Sequence, residues 1–148
     1  MKVYLDTSVI SALFDQKNPE RKSLTEAFFK KIEKFEVYIS EVSIMEIERT
    51  PDLKLQNKMR ETIRDFPILS ITDKVEWLAK EYIRHGAVPD GYAEDSYHIT
   101  IAVLNEIDYL LSWNFKHIVR KTTRDIVRLV NTSNSLGQIE IMTPAELL

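Results

Sequence analysis

Cysteine is absent from the 148 residues, while glycine occurs three times and proline five. Without thiols the chain has neither a disulfide framework nor thiolate ligands for soft metals, which leaves oxygen and imidazole donors for any ion it holds. So few breakers leave little room for a linker, and with 44% hydrophobic residues the chain is expected to form a single domain over 1–148 with a full core. No apolar run approaches the roughly 20 residues needed to span a bilayer. At the start, Lys2 and Asp6 flank only Val3, Tyr4 and Leu5, a stretch too short and too charged for a signal peptide. The expectation is a soluble, cytoplasmic protein without membrane contact.

Excess positive charge is lacking too, since the net charge of −3 supplies no bulk attraction to nucleic acid. Its distribution is nevertheless uneven. Between His85 and Phe115 stand Asp90, Glu94, Asp95, Glu106 and Asp108 with no Lys or Arg, whereas residues 116–128 carry Lys116, Arg120, Lys121, Arg124 and Arg128 against Asp125 alone. Lys116, Arg120, Arg124 and Arg128 recur every fourth residue, which predicts one drifting stripe on a helix. Such a stripe could guide nucleic-acid phosphates, cover helix carbonyls, or simply face solvent.

What is present is a regular alternation of strands and helices. Val3–Leu5 predicts a first strand, with Thr7 or Ser8 as N-cap of a short helix through Phe14. Pro19 opens a second helix, Val37–Ser40 reads as a strand, Glu41–Arg49 as a helix ended by Pro51, and Asp52–Phe66 as a charged amphipathic helix. Pro67–Ile71 is a third strand, and the helix from Asp73 stops at Gly86. Tyr92–Glu106 is helical, Asp108–Ser112 a fourth strand, Phe115–Val130 a helix, Asn131–Gly137 a polar loop, and Ile139–Met142 a last strand before Thr143-Pro144. Strands separated by helices throughout predict an α/β fold of three layers, with a mostly parallel sheet of four to five strands between helices.

Three acids stand out by position. Asp6 ends the first strand, where open α/β sheets build their sites. Glu46 lies among apolar neighbours in the helix after the second strand, and Asp95 in the first turn of the helix before the fourth. In a doubly wound sheet those helices can converge on the end of strand one, and the three carboxylates would then share a cleft. Like charges that close raise one another's pKa unless a counterion is present. Oxygen donors select Mg²⁺ or Mn²⁺ for that role. Ser112 and Asn114, at the end of the fourth strand, could bind a metal-bound water or a ligand carboxylate. Each residue has a simpler reading as well: Asp6 as a strand-ending turn residue, Thr7 or Ser8 as a cap, Glu46 as a partner of Arg49, Asp95 as a dipole-stabilised acid beside Glu94, and His98 as a hydrogen-bonding histidine.

Taken in order, Val3-Tyr-Leu-Asp6-Thr-Ser-Val-Ile, Ser43-Ile-Met-Glu46-Ile, Ala93-Glu-Asp95-Ser-Tyr-His98 and Tyr109-Leu-Leu-Ser112-Trp-Asn114-Phe-Lys-His resemble the motifs of PIN-domain nucleases. Within that group the chain is similar to the small VapC-type ribonuclease toxins of toxin–antitoxin systems. The resemblance implies a PIN-like fold and a metal-dependent endoribonuclease. Asp6, Glu46 and Asp95 would hold one or two Mg²⁺ or Mn²⁺ ions, about 4 Å apart if two. Thr7 or Ser8 would orient Asp6 or a water, and Ser112 would do the same from the fourth strand. It also implies an RNA substrate, products with a 5′-phosphate and a 3′-hydroxyl, a cognate antitoxin as partner, and a homodimer.

Many members of the family carry a fourth acid where this chain has Asn114, which removes one negative charge and weakens the case for a second metal. Asn114 is therefore expected to act through a water. The rival reading from another class is a catalytically weak or inactive PIN-like module that binds RNA or a protein. Two other strand-Asp folds fit poorly: a haloacid-dehalogenase-type phosphatase needs an acid where Ser8 stands, and a receiver domain needs one at the end of strand three, at Ile71-Thr72.

Overall fold

In a computed structural model describing residues 1–148, five strands form one sheet in the order β3-β2-β1-β4-β5, every neighbouring pair parallel. The strands are β1 (Lys2–Leu5), β2 (Glu36–Ser40), β3 (Ile68–Leu69), β4 (Tyr109–Leu111) and β5 (Glu140–Met142). Between them run α1 (Thr7–Ala12), α2 (Pro19–Phe29), α3 (Glu41–Glu48), α4 (Leu53–Ile63), α5 (Asp73–Arg84), α6 (Ala93–Leu104) and α7 (Lys121–Ser133), with short 3₁₀ turns at Ile32–Lys34 and Pro144–Leu147. No helix is long and apolar enough to cross a membrane.

The central strand shows why three layers form. Side chains alternate across a strand, so Val3 and Leu5 enter one core with residues of α1, α2 and α4, while Tyr4 enters the other with residues of α5, α6 and α7. Each face of the sheet is thus covered by helices. Because β2 lies on one side of β1 and β4 on the other, the order in which strands are added reverses at β1. The crevice this leaves lies beyond the carboxyl end of β1, and Asp6 occupies it.

Three local expectations are corrected. Neither Thr7 nor Ser8 caps α1: Asp6 holds the N-cap position without a side-chain cap bond, and both hydroxyls turn to carboxylates instead. The helix expected from Phe115 begins only at Lys121, because the Asn114 carbonyl gathers the N–H groups of Ile118 and Val119 into a separate turn and Arg120 is extended (φ −152°, ψ 154°). Lys116 therefore lies off the helix, and the basic stripe is shorter than its spacing predicts. Finally, α7 runs on through Asn131, expected in a polar loop. That side chain is fully buried, accepting a bond from the Tyr82 hydroxyl of α5 and donating to the Gly137 carbonyl.

The last contact is a test of how α5 and α7 are locked. Tyr82→Phe removes the hydroxyl and leaves the buried Asn131 oxygen without its partner, at a cost of about 1–3 kcal/mol. Urea unfolding should show the midpoint falling with the slope unchanged.

Candidate active site

The pairing of Leu5 with Leu111 brings the residues that follow them side by side. Asp6 is 3% exposed, and both its carboxylate oxygens accept hydroxyl bonds: Ser8 Oγ donates to Oδ1 at 2.5 Å and Ser112 Oγ to Oδ2 at 2.6 Å. The serines are themselves fixed by backbone donors, Trp113 N–H to Ser8 Oγ (2.8 Å) and Asn114 N–H to Ser112 Oγ (2.9 Å). Burial pushes the Asp6 carboxyl up. The His98 charge and the two serine hydroxyls oppose that rise without cancelling it, and Glu46 adds to it.

Glu46 stands on α3, which is started firmly by the Ser40 cap. Its Oε1 accepts from Thr7 Oγ1 at 2.6 Å and pairs with His98 Nε2 at 2.6 Å, while Oε2 has no protein partner. His98 is buried, and its other nitrogen meets the Tyr4 hydroxyl at 2.6 Å, which in turn reaches Ser40 Oγ at 2.6 Å. Burial alone would lower the imidazole's pKa and raise that of the carboxyl. For His98 the interactions with Tyr4, Glu46 and Asp6 win, and it sits well above its ordinary 6.5. For Glu46 the His98 bond and charge, the Thr7 hydroxyl and Arg49 win, and its pKa falls.

Asp95 sits in the first turn of α6, with Oδ2 held by His117 Nδ1 at 2.8 Å and Oδ1 without a protein partner. His117 is packed in turn against Tyr92, ring centroids 4.1 Å apart. Glu46, Tyr92, Glu94 and Asp95 line one cavity of about 440 Å³. Across its rim Arg49 donates to both oxygens of Glu94 at 2.5 and 2.6 Å, so the guanidinium expected to pair with Glu46 is engaged elsewhere.

The structure thus brings Glu46 and Asp95 to one cavity and sets Asp6 within electrostatic reach of Glu46. It does not close the three into a cluster: no three acidic or imidazole groups stand close enough to form a ready-made metal site. The donor chemistry still suits a hard cation, since Glu46 and Asp95 each keep one carboxylate oxygen free and Asp6 is a buried acid lacking a cation of its own.

Asn114 lies at the same end of the sheet, but its Oδ1 accepts the His117 N–H at 3.0 Å, leaving the amide NH₂ as its free group. Thr7 serves Glu46 rather than Asp6, and Ser8 takes the place beside Asp6. Of the basic residues, Arg124 and Arg128 are exposed on α7 and Lys116 is exposed on the preceding turn. The Arg120 guanidinium is turned inward onto the Ala87 carbonyl and Thr123. His117 and the Tyr4–His98 relay were not evident from the sequence. The signals for His117 are its place at the end of the fourth motif and its position three residues after Asn114, where an Asx-type turn would place its N–H.

A family profile described as the PIN domain matches residues 3–114. No curated protein matches the chain in sequence. Among solved structures, the chain superposes on the VapBC2 structure from Rickettsia felis bound to a DNA fragment from its promoter, with TM-score 0.59, 13% identity, and coverage of 95% of this chain and 97% of that one. It also superposes on VapC20 of Mycobacterium tuberculosis, a toxin that cleaves the sarcin–ricin loop, with TM-score 0.61, 14% identity, and coverage of 78% of this chain and 92% of that one. At such identities the likeness is one of fold.

The buried imidazole makes stability depend on pH. A group whose folded pKa is raised contributes stability that is complete below its unfolded value and lost as pH rises through the folded one, so His98 supports the fold at neutral pH and less under alkaline conditions. With chelator present, melting temperature should decline on the alkaline side of neutrality. His98→Gln should lower the neutral melting temperature and flatten that decline; an unchanged slope would contradict the assignment.

Proposed function

The chain belongs to the PIN domain family, and from that premise we propose that it is a metal-dependent ribonuclease whose site is built on Asp6, Glu46 and Asp95. The observation that supports this best is the convergence of three carboxylates, from the end of β1, from α3 and from α6, on the carboxyl end of the sheet, two of them lining one open cavity. The donor set would hold Mg²⁺ or Mn²⁺. When bound, such an ion activates water and stabilises the leaving oxygen of a phosphodiester.

The protein's own part is positioning. Ser8 and Ser112 fix both oxygens of Asp6, His98 and Thr7 fix one oxygen of Glu46, and His117 fixes one of Asp95, so the remaining oxygens are presented with little freedom. Asn114, its oxygen engaged with His117 N–H, serves through its amide N–H on a water or a phosphate oxygen. Arg124 and Arg128 draw RNA phosphates toward the site, and Lys116 adds charge from its turn. Products with a 5′-phosphate and a 3′-hydroxyl belong to the same reading. By analogy with the VapBC2 assembly, so does an antitoxin partner, and the family resemblance adds a homodimer.

One observation favours a second reading. Each acid already has its own hydroxyl or imidazole partner and no metal cluster is preformed, which suits a PIN module that binds RNA or protein without cutting.

Purified protein incubated with RNA and Mn²⁺ separates the two. Cleavage is expected, lost to background in Asp6→Asn and Asp95→Asn and reduced about 10–100-fold in Thr7→Ala and Ser112→Ala. Cleavage that survives in both acid variants is a contaminant's and leaves the binding module. Because burial opposes the Asp6 charge, Asp6→Asn should melt in chelator no lower than the parent, which separates lost chemistry from lost fold.

A further inference from the structure

Beside the acidic site lies a second cavity of about 420 Å³, lined by Lys17, Asn18, Glu20, Arg21, Leu24 and Trp113. It adjoins the first through the backbone: the Trp113 N–H donates to the same Ser8 hydroxyl that holds Asp6. Inside it the Arg21 guanidinium lies 5.3 Å above the Trp113 ring and 5.7 Å above that of Phe115. The two rings meet edge to face with centroids 6.2 Å apart. Trp113 is locked, since its indole N–H donates to Thr25 Oγ1 at 2.9 Å and the Thr25 hydroxyl donates to the Arg21 carbonyl at 2.7 Å. Phe115, by contrast, is 49% exposed.

Arg21 and Lys17 join none of the ion pairs of the structure, so two cations meet the single acid Glu20 at this cavity, and the guanidinium donors carry no partner. Asp15, within electrostatic reach of both cations, forms no ion pair with either and is engaged by the Asn18 amide and the Lys17 N–H. A half-exposed aromatic ring, an arginine with free donors over it, and a second cation beside a nucleotide-sized hollow form the stacking and charge pattern that binds single strands.

We propose that this cavity, together with the Phe115 ring that packs against its Trp113 and Arg21, is a nucleotide subsite for single-stranded RNA, with a base stacked on Phe115 and the adjoining phosphate in the cavity on Arg21 and Lys17. The proposal rests on the nuclease reading only for the chemistry at Asp6. A flexible single strand can lay a base on Phe115, whereas a duplex keeps its bases stacked inside.

The test uses a fluorescein-labelled oligouridylate and the Asp6→Asn protein in Mg²⁺, with binding read by fluorescence anisotropy. Binding is expected to weaken about tenfold in Phe115→Ala and in Arg21→Ala. Phe115→Leu, which keeps apolar volume without a π face, should behave as the alanine variant, and Phe115→Tyr as the parent. The same strand annealed to its complement should bind less tightly. Parent-like binding by the alanine variants, equal binding of the duplex, or no binding of the single strand by the parent would each overturn the subsite. Cleavage is scored separately on proteins with Asp6 intact. Cleavage with an unchanged KM in the Arg21 and Phe115 variants removes the subsite and leaves the nuclease. Absent cleavage with Phe115-dependent binding removes the nuclease and leaves the subsite.

Discussion

The register of β1 against β4 is the constraint on which the sheet's functional end depends. Leu5 opposite Leu111 makes Asp6 and Ser112 neighbours, and the Asp6 N–H closes that pairing on the Leu111 carbonyl. A slip of one residue would turn Val3 and Leu5 out of their core and Tyr4 out of its own, so the apolar alternation of three residues indirectly holds a carboxylate in place. The position of the acid is therefore underwritten by hydrophobic burial far larger than any contact the acid itself makes.

With position set by packing, charge is handled locally. Asp6 relies on hydroxyls, Glu46 on a buried imidazole and a hydroxyl, and Asp95 on an imidazole beside an aromatic ring. The His98 arrangement reaches from α6 through Tyr4 of the central strand to Ser40 at the start of α3, so the two helices that bring acids to the cavity are tied through the strand between them. Arg49 and Glu94 tie the same helices again at the surface. The deeper link matters more, because an exposed ion pair contributes little against solvent.

The fold was legible because its signals are local and repeated: five β-prone runs, helical periods between them, and Asp6 at a strand end. The placing of Glu46 and Asp95 in one cavity was legible for the same reason, since α3 follows β2 and α6 leads towards β4, the two neighbours of β1. What escaped was decided by contacts between distant segments. Asn131 is polar, and nothing around it announces that Tyr82, 49 residues earlier, draws it into the core. His117 meets Asp95 across 22 residues, so no period reveals it. The regular spacing of Lys116 with the arginines misled because a backbone carbonyl at Asn114 and an extended Arg120 break the chain before the helix begins. Phe115 and Arg21 carry no sequence pattern in common; only the fold stacks them.

β3 is a strand of two residues, pairing Ile68 and Leu69 with the end of β2. Its outer side is the margin of the sheet, where unpaired backbone groups invite another chain to add on. Two residues give such a guest almost no ladder to read, and Pro67 before them offers no N–H. At the opposite margin β5 is only three residues long and passes directly into the Pro144–Leu147 turn. The sheet is therefore self-limiting in width, and copies of the chain crowded together during synthesis have little edge along which to grow into one another.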